Sequence, residues 1–204
     1  MTRTHLFTAL ALLGFLPLPD RASADLVIEI GDIQLFENTA NQVVPISVTG
    51  GDPVQGLNFN IQVADGGPEA PNGVMDGPAI TGVDVIGPGT IFNGNNTGQG
   101  GNGLVLPQFA EAITTTSSGT VNAVGTLAFV TFDTTGFSAG SSFDLLLKGT
   151  LNSDTDFAGV SANITNGTIS LVVVPEPSAF LYAGAIAALA GGCVRLKQRR
   201  FGKS

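Results

Sequence analysis

Carboxylates are the only titratable side chains that are common in the central part of this 204-residue chain. Residues 25–174 contain fourteen Asp and Glu but no His, Cys, Arg, Tyr or Trp. Ser-His or Cys-His nucleophiles, zinc sites built on His or thiolate, and arginine clamps for phosphoryl transfer are therefore excluded from this segment. A carboxylate pair of the glycosidase kind stays open, with Glu29, Glu37, Glu69 and Glu111 as candidates. Their spacing does not favour such a pair, and we expect a protein that is not an enzyme.

The charge of the chain is distributed unevenly. The whole sequence has a formal net charge of −8, yet residues 25–174 hold one basic residue, Lys148, against fourteen acidic ones, which gives −13. A surface of this kind repels phosphate backbones and anionic lipid, so nucleic acid is excluded as a partner. It favours metal ions or basic proteins instead.

The first 24 residues have the pattern of a secretory signal peptide. Arg3 and His5 precede an apolar run over residues 6–16, and Ala22-Ser23-Ala24 supplies small residues for a cleavage site. The run is too short for a membrane span. We therefore predict that signal peptidase cleaves after Ala24 and that the protein is exported.

The last thirty residues combine a proline-flanked motif, an uncharged stretch and a basic end. Residues 179–194 are uncharged, and as a helix they would extend about 24 Å, enough for one thin membrane span if basic side chains reach the far surface. Basic residues flank this span only on its C-terminal side, which places the end of the chain in the cytoplasm and the residues before Pro175 outside. The basic stop consists of Arg195, Lys197, Arg199 and Arg200 within the tail 195–204.

This order resembles the PEP-CTERM sorting signal of bacterial exported proteins. The resemblance rests on Val174-Pro175-Glu176-Pro177-Ser178, on the uncharged span and on the basic tail, and it covers residues 175–204. It implies that a membrane-embedded exosortase recognises Pro175, Glu176 and Pro177 and removes the span and the tail. The protein would pass through an inner-membrane-anchored intermediate and reach the cell surface or the extracellular matrix. A single-pass anchor that begins after a proline turn is the simpler alternative.

Short apolar segments alternate with Gly, Asn, Asp and Pro through residues 25–174. In Leu57-Asn58-Phe59-Asn60-Ile61-Gln62-Val63 apolar and amide side chains alternate strictly, which predicts a strand with one buried and one wet face. Residues 121–132 are apolar on both faces, as in a central strand. The segment is predicted to be one domain, an all-β antiparallel jelly-roll sandwich of about nine strands. Further strands are predicted over 26–30, 33–36, 43–48, 80–86, 104–109, 112–116, 143–147 and 168–174.

The order of these strands and glycines resembles a cohesin-like β-sandwich, a topology shared with carbohydrate-binding modules. The residues that carry the resemblance are 43–48, 55–61, 125–132 with Ala139-Gly140, and 166–169. The likeness covers most of residues 25–174 and implies a non-catalytic module. Cohesins bind dockerins through one sheet face, so the resemblance implies a dockerin-like protein partner or a polysaccharide as ligand.

Two loop regions gather oxygen atoms of the kind that bind a hard cation. They are residues 65–69 with Asp76-Gly77, and Asp154-Thr155-Asp156. Ca²⁺ requires several such oxygens at once, whereas Asp and Gly are also common in turns for conformational reasons. No cofactor is predicted, and Ca²⁺ is left as an open alternative.

The stretch 93–103 is rich in Asn and Gly and contains no hydrophobic side chain. This composition predicts a mobile loop. A recognition loop is the alternative, since loops often carry function.

Delivery and composition together predict an exported structural or adhesive component of the cell surface or extracellular matrix, which acts by binding rather than by turnover. The main alternative is a binding module for a protein partner or a polysaccharide. For that alternative, the exposed face of the strand that carries Asn58, Asn60 and Gln62 is the candidate surface.

Overall fold

The computed structural model describes residues 25–66 and 76–175. The strands in these residues are β1 (Val27–Glu29), β2 (Asp32–Phe36), β3 (Gln42–Thr49), β4 (Pro53–Val54), β5 (Gly56–Val63), β6 (Ala79–Asp84), β7 (Gly100–Leu106), β8 (Phe109–Thr115), β9 (Val121–Asn122), β10 (Gly125–Asp133), β11 (Ser142–Leu146), β12 (Asp156–Phe157), β13 (Asn163–Thr165) and β14 (Gly167–Val172). The described residues contain no helix, and accordingly none that could cross a membrane. The predicted all-β class is confirmed.

The strands form two main sheets. The smaller sheet has the order β13-β1-β3-β10-β6, and the larger has the order β2-β14-β11-β5-β8-β7, with β12 added beside β5. Pairing is antiparallel except between β1 and β13 and between β2 and β14. A two-stranded ribbon of β4 and β9 completes the fold.

The first and the last strand pairs pass from one sheet to the other at the same place. β1 and β13 lie side by side in the smaller sheet, and their continuations β2 and β14 lie side by side in the larger. At the crossing a Cβ atom on Gly167 would overlap the carbonyl of Gly31, and Gly31 has a φ of +68°. Glycine at both positions therefore lets the two chains approach closely and change direction.

The hydrophobic core fills the space between the two sheets. Successive side chains of a strand point alternately into this core and away from it. In β3, for example, Ile46 and Val48 are buried, whereas Ser47 between them is exposed. The largest side chains that are fully buried include Phe59, Phe92 and Phe132.

Three predictions of strand or loop positions need correction. The predicted strand 104–109 contains the turn Pro107-Gln108, because β7 ends at Leu106 and β8 begins at Phe109. Residues 121–132 are not one continuous strand, because the chain leaves the ladder at Ala123-Val124 and re-enters at Gly125 with a φ of +124°. The stretch 93–103 is not a loop throughout, because Gly100–Gly103 belong to β7 and Thr97 pairs with Thr115 through its backbone.

Side-chain amides close two strand edges. The amide of Gln42 accepts from the backbone N–H of Phe36 at 2.6 Å and donates to the carbonyl of the same residue at 3.0 Å. The amide of Gln99 does the same for β6 and its extension, accepting from Val85 and donating to Val83 at 2.9 Å each. Each amide thus takes the place of a neighbouring strand at an edge that would otherwise offer unpaired groups.

Candidate binding face

The outer face of the larger sheet carries the residues that the alternation of β5 singled out. Leu57, Phe59, Ile61 and Val63 point into the core and are 0–2 % exposed. The intervening amide side chains therefore lie on the opposite side of β5, away from the core. In the same register, Glu111 and Ile113 of β8 stand opposite Asn60 and Asn58.

This amide row is covered rather than exposed, so the prediction of a wet face is wrong. Asn60 is 0 % exposed and Gln62 is 4 % exposed, while Asn58 is half-buried. The cover is a segment that we call the strap, residues 149–154, which forms the middle of the connection 147–155 between β11 and β12.

The strap exists because the pairing along β5 is interrupted. Leu146 of β11 pairs with Gln62, and Asp156 of β12 pairs with Asn58. The nine residues 147–155 therefore lie opposite only the three residues 59–61 of β5, and the extra length of chain folds over the outer face. This is a bulge of unusual length, and like shorter bulges it takes residues out of the ladder.

Polar contacts hold the strap to the sheet. The backbone N–H of Leu151 donates to Gln62 Oε1 at 2.7 Å, and Asn152 Nδ2 donates to Glu111 Oε2 at 3.1 Å. Ser153 Oγ accepts from the amide nitrogens of Asn58 and Asn60 at 3.1 and 3.2 Å. The side chain of Leu151 is 58 % exposed, so it contributes little apolar burial to this contact.

Thr155 closes the base of the strap. Its backbone N–H donates to the carbonyl of Leu147 at 2.8 Å, which brings the two ends of the excursion together. Its hydroxyl accepts from the backbone N–H of Asn60 at 2.9 Å and donates to the carbonyl of the same residue at 2.7 Å. A single buried hydroxyl thus satisfies the backbone of β5 in the gap between β11 and β12.

One acceptor under the strap has no partner. Asn60 Oδ1 is buried and makes no hydrogen bond with any described residue. An unsatisfied buried acceptor costs about 1–3 kcal/mol, so few are found in native proteins. Glu111, directly opposite Asn60 in the register, is 8 % exposed.

The remaining part of the outer face is open and acidic. Asp144 of β11, Thr168 of β14 and Asp32 of β2 share one row across three strands, and both carboxylates are exposed. The hydroxyl of Thr168 donates to Asp32 Oδ1 at 2.7 Å. Elsewhere, at the end of β10, the pKa of Asp133 is lowered because Thr135 donates hydrogen bonds from its side chain and its backbone.

The predicted sorting residues fall at the limit of the structure. Pro175 is its last described residue and follows Val173 and Val174, which are 64 % and 48 % exposed. The other predicted sorting residues, Glu176, Pro177, Arg195, Lys197, Arg199 and Arg200, lie outside the described residues, as do the predicted signal peptide 1–24 and the predicted span.

The candidate carboxylate pair for hydrolysis is not assembled by the described residues. Glu29 lies on the outside of the smaller sheet, next to Ile28 of the core, whereas Glu111 lies on the outside of the larger one. Glu37 follows β2 and accepts from the backbone N–H of Ala139 at 2.8 Å. Glu69 lies outside the described residues.

Of the two loops that could offer oxygen ligands to Ca²⁺, residues 67–69 of the first lie outside the described residues. Asp154 Oδ1 accepts from the backbone N–H of Gly149 at 2.6 Å, within the strap itself. Across 25–66 and 76–175 no three Asp, Glu, His or Cys side chains are grouped as a metal ion would require.

Of the strap residues, sequence reasoning singled out only Asp154, as part of a possible Ca²⁺ loop, and it missed the contacts of Leu151, Asn152 and Ser153 with the sheet. A signal for them was present in β5, whose outward positions are all amides, because a solvent-facing row commonly carries charged residues as well. Amides without charge are compatible with burial if each finds hydrogen-bond partners.

Known proteins resemble this chain in structure but not in sequence. No protein-family model matches it, and no curated protein matches it significantly. The seventh ScaB type I cohesin of Pseudobacteroides cellulosolvens superposes with a TM-score of 0.50 at 16 % identity, over 74 % of this chain and 95 % of that one. A chain of a type I cohesin–dockerin complex from Clostridium thermocellum gives 0.50 at 8 % identity, over 72 % and 99 %. A non-cellulosomal cohesin of Archaeoglobus fulgidus gives 0.49 at 17 %, over 78 % and 98 %.

At these identities the likeness establishes the fold. The predicted cohesin-like β-sandwich is therefore confirmed for the part of the chain that the structure describes.

Proposed function

We propose that this chain is an exported, non-catalytic component of the cell surface or extracellular matrix whose sandwich binds a protein partner. The observation that carries the proposal is the cohesin-like fold, together with an outer sheet face that is polar, acidic and only partly covered. The Clostridium thermocellum neighbour is a cohesin solved with its dockerin.

A protein partner fits this face better than a polysaccharide. Sugar-binding surfaces commonly use aromatic rings as platforms, and residues 25–174 contain no Tyr or Trp. Phe36 is the most exposed of the described phenylalanines, at 43 %, and it lies at the end of the edge strand β2. The charge of −13 over residues 25–174 favours a basic protein surface.

Delivery in this proposal depends on the two termini. Signal peptidase removes residues 1–24, and an exosortase recognises Pro175, Glu176 and Pro177 and removes the span with its basic stop. The exposure of Val173 and Val174 after β14 supports access to the motif. The intact mass of the protein from its native cell envelope tests this step: we expect an N-terminus at Asp25 and loss of the tail. A mature chain with both ends intact would contradict it.

Partner capture tests the binding function. Full-length chain displayed on its native cells is crosslinked to its neighbours, and the captured proteins are identified and titrated. We expect one saturable protein partner, with capture weakened by Asp144→Arg on the outside of the larger sheet. Glu29→Arg, the same charge reversal on the outside of the smaller sheet, is the matched control and should leave capture unchanged. Absence of a saturable partner, or turnover of a glycan that disappears when an acidic residue is replaced, would overturn the proposal.

A further inference from the structure

We propose that the strap is a displaceable cover, and that Asn60 and Glu111 beneath it accept a Lys or Arg side chain from the protein partner. This inference rests on the proposed function, because it concerns the partner of the same sheet face. It names the chemistry that the partner must supply.

The groups under the strap call for a hydrogen-bond donor. Asn60 Oδ1 is buried without a partner among the described residues, and its side chain as a whole is 0 % exposed. Glu111, its register neighbour, offers carboxylate oxygens, of which Oε2 receives Asn152. Lys and Arg side chains carry only donors and a positive charge, so they match two acceptors of which one is charged.

The domain cannot readily supply such a side chain itself. Residues 25–174 contain no Arg and a single Lys, Lys148, whose side chain is exposed. The approach to the site is acidic, since Asp144, Asp154 and Asp156 are all exposed nearby on β11, the strap and β12. Their charges favour the arrival of a cation from another protein.

The way in which the strap is attached allows it to lift. Its contacts with the face are the hydrogen bonds of Leu151, Asn152 and Ser153, and the apolar side chain of Leu151 points outward. The base is fixed separately by Thr155 and by the pairing of β11 and β12 with β5. The strap can therefore leave the face while the sheet stays paired.

Two small probes test the charge requirement. The ¹⁵N-labelled full-length chain, held in a neutral detergent, is titrated with N-acetyl-arginine amide and with N-acetyl-citrulline amide, which has nearly the same shape but no charge. We expect saturable shifts of the Asn60 side-chain amide and of the Leu151 backbone amide with the arginine probe alone. Equal shifts with both probes, or no shift of Asn60, would overturn the proposal.

Three variants locate the site. Glu111→Gln keeps an acceptor for Asn152 and should weaken the arginine probe roughly tenfold, since a charged hydrogen bond is lost. Glu29→Gln, the same substitution on the outside of the smaller sheet, is the control and should leave the affinity for the arginine probe unchanged. Ser153→Ala removes the two hydrogen bonds from Asn58 and Asn60 that hold the strap down, and it should strengthen binding about fivefold. A Glu111→Gln effect no larger than that of Glu29→Gln, or a Ser153→Ala variant that binds no better, would contradict the inference.

The two proposals fail in different ways. If a saturable partner is captured but the arginine probe does not reach Asn60, the protein-binding function stands and the site beneath the strap is wrong. An ordered water bonded to Asn60 Oδ1 under a strap that stays closed when the partner is bound would also overturn the site. If no partner is captured, the proposed function itself is wrong, whatever the probe does.

Discussion

The two faces of β5 are both buried, but by different means. On the inner face Leu57, Phe59 and Ile61 are packed among other apolar side chains of the core. On the outer face Asn60 and Gln62 are covered by the strap, which contributes hydrogen bonds and almost no apolar contact. Burial of apolar side chains stabilises the folded state in proportion to the apolar area removed from water. A hydrogen bond between strap and sheet contributes much less, because it replaces a hydrogen bond to water. The inner face should therefore hold the domain together, and the outer face should be able to open.

Phe59→Ala tests the inner face and should have the largest effect. Phe59 is 0 % exposed, and its replacement leaves a cavity that costs about 3–5 kcal/mol of unfolding free energy. Urea unfolding of the full-length chain in neutral detergent measures the loss. Phe36→Ala is the control, because Phe36 is 43 % exposed and should cost less than about 1.5 kcal/mol. Similar losses of unfolding free energy in the two variants would contradict the claim that the apolar inner face holds the domain together.

Thr155→Val tests the buried polar contact at the base of the strap. Val keeps the shape of the side chain but leaves the N–H and the carbonyl of Asn60 without their partner, which should cost about 1–3 kcal/mol. The same urea measurement applies. Thr155→Ser retains the hydroxyl, so it should recover most of the stability. A Ser variant that loses as much as the Val variant would show that the hydroxyl does not account for the stability.

Gln99→Ala tests a polar contact that is more exposed than Thr155. Removing the amide frees the N–H of Val85 and the carbonyl of Val83 to water, and we expect a loss of about 0.5–1.5 kcal/mol. Asn102→Ala is the matched control from the same Asn- and Gly-rich stretch and lies on exposed backbone. If Asn102→Ala lowered the unfolding free energy as much as Gln99→Ala, the hydrogen bonds of Gln99 at the edge of β6 would not contribute to stability.

Asp133→Asn should cause the smallest loss of unfolding free energy among these variants. The pKa of Asp133 is lowered below its ordinary value of 3.8, so the folded state favours the ionised carboxylate. This stability is present above that ordinary value and is lost as the pH falls through the folded pKa. Because the group is largely exposed, we expect only about 0.2–0.5 kcal/mol at neutral pH. Unfolding of both proteins between pH 7 and pH 2 checks the sign: the difference should shrink with falling pH, and a difference that grows would refute the assignment.

The sequence was sufficient to predict the fold class but not what covers each face. Alternation in β5 correctly identified Phe59 and Ile61 as core residues, because the period of a strand is fixed by its geometry. It could not predict that Asn60 is buried, since that depends on where β11 leaves β5 and β12 rejoins it, a matter of register between distant segments.

The errors in the Gly-rich regions have a similar origin. Composition predicted a loop over 93–103, yet Gln99 caps β6 through contacts with residues about fifteen positions away in sequence. The apolar run 121–132 predicted one strand, but its interruption depends on the left-handed backbone of Gly125, which the apolar pattern does not reveal.

Native-state hydrogen exchange of the full-length chain tests most directly whether the outer face opens on its own. The Leu151 amide, bonded to Gln62 Oε1, should exchange through a local opening that is insensitive to low concentrations of urea. The Ile61 amide, within the β5–β8 pairing, should exchange only with unfolding of the sandwich and should respond strongly to urea. Equal rates and equal urea dependence for Leu151 and Ile61 would show that strap and core open together, and would contradict a displaceable cover.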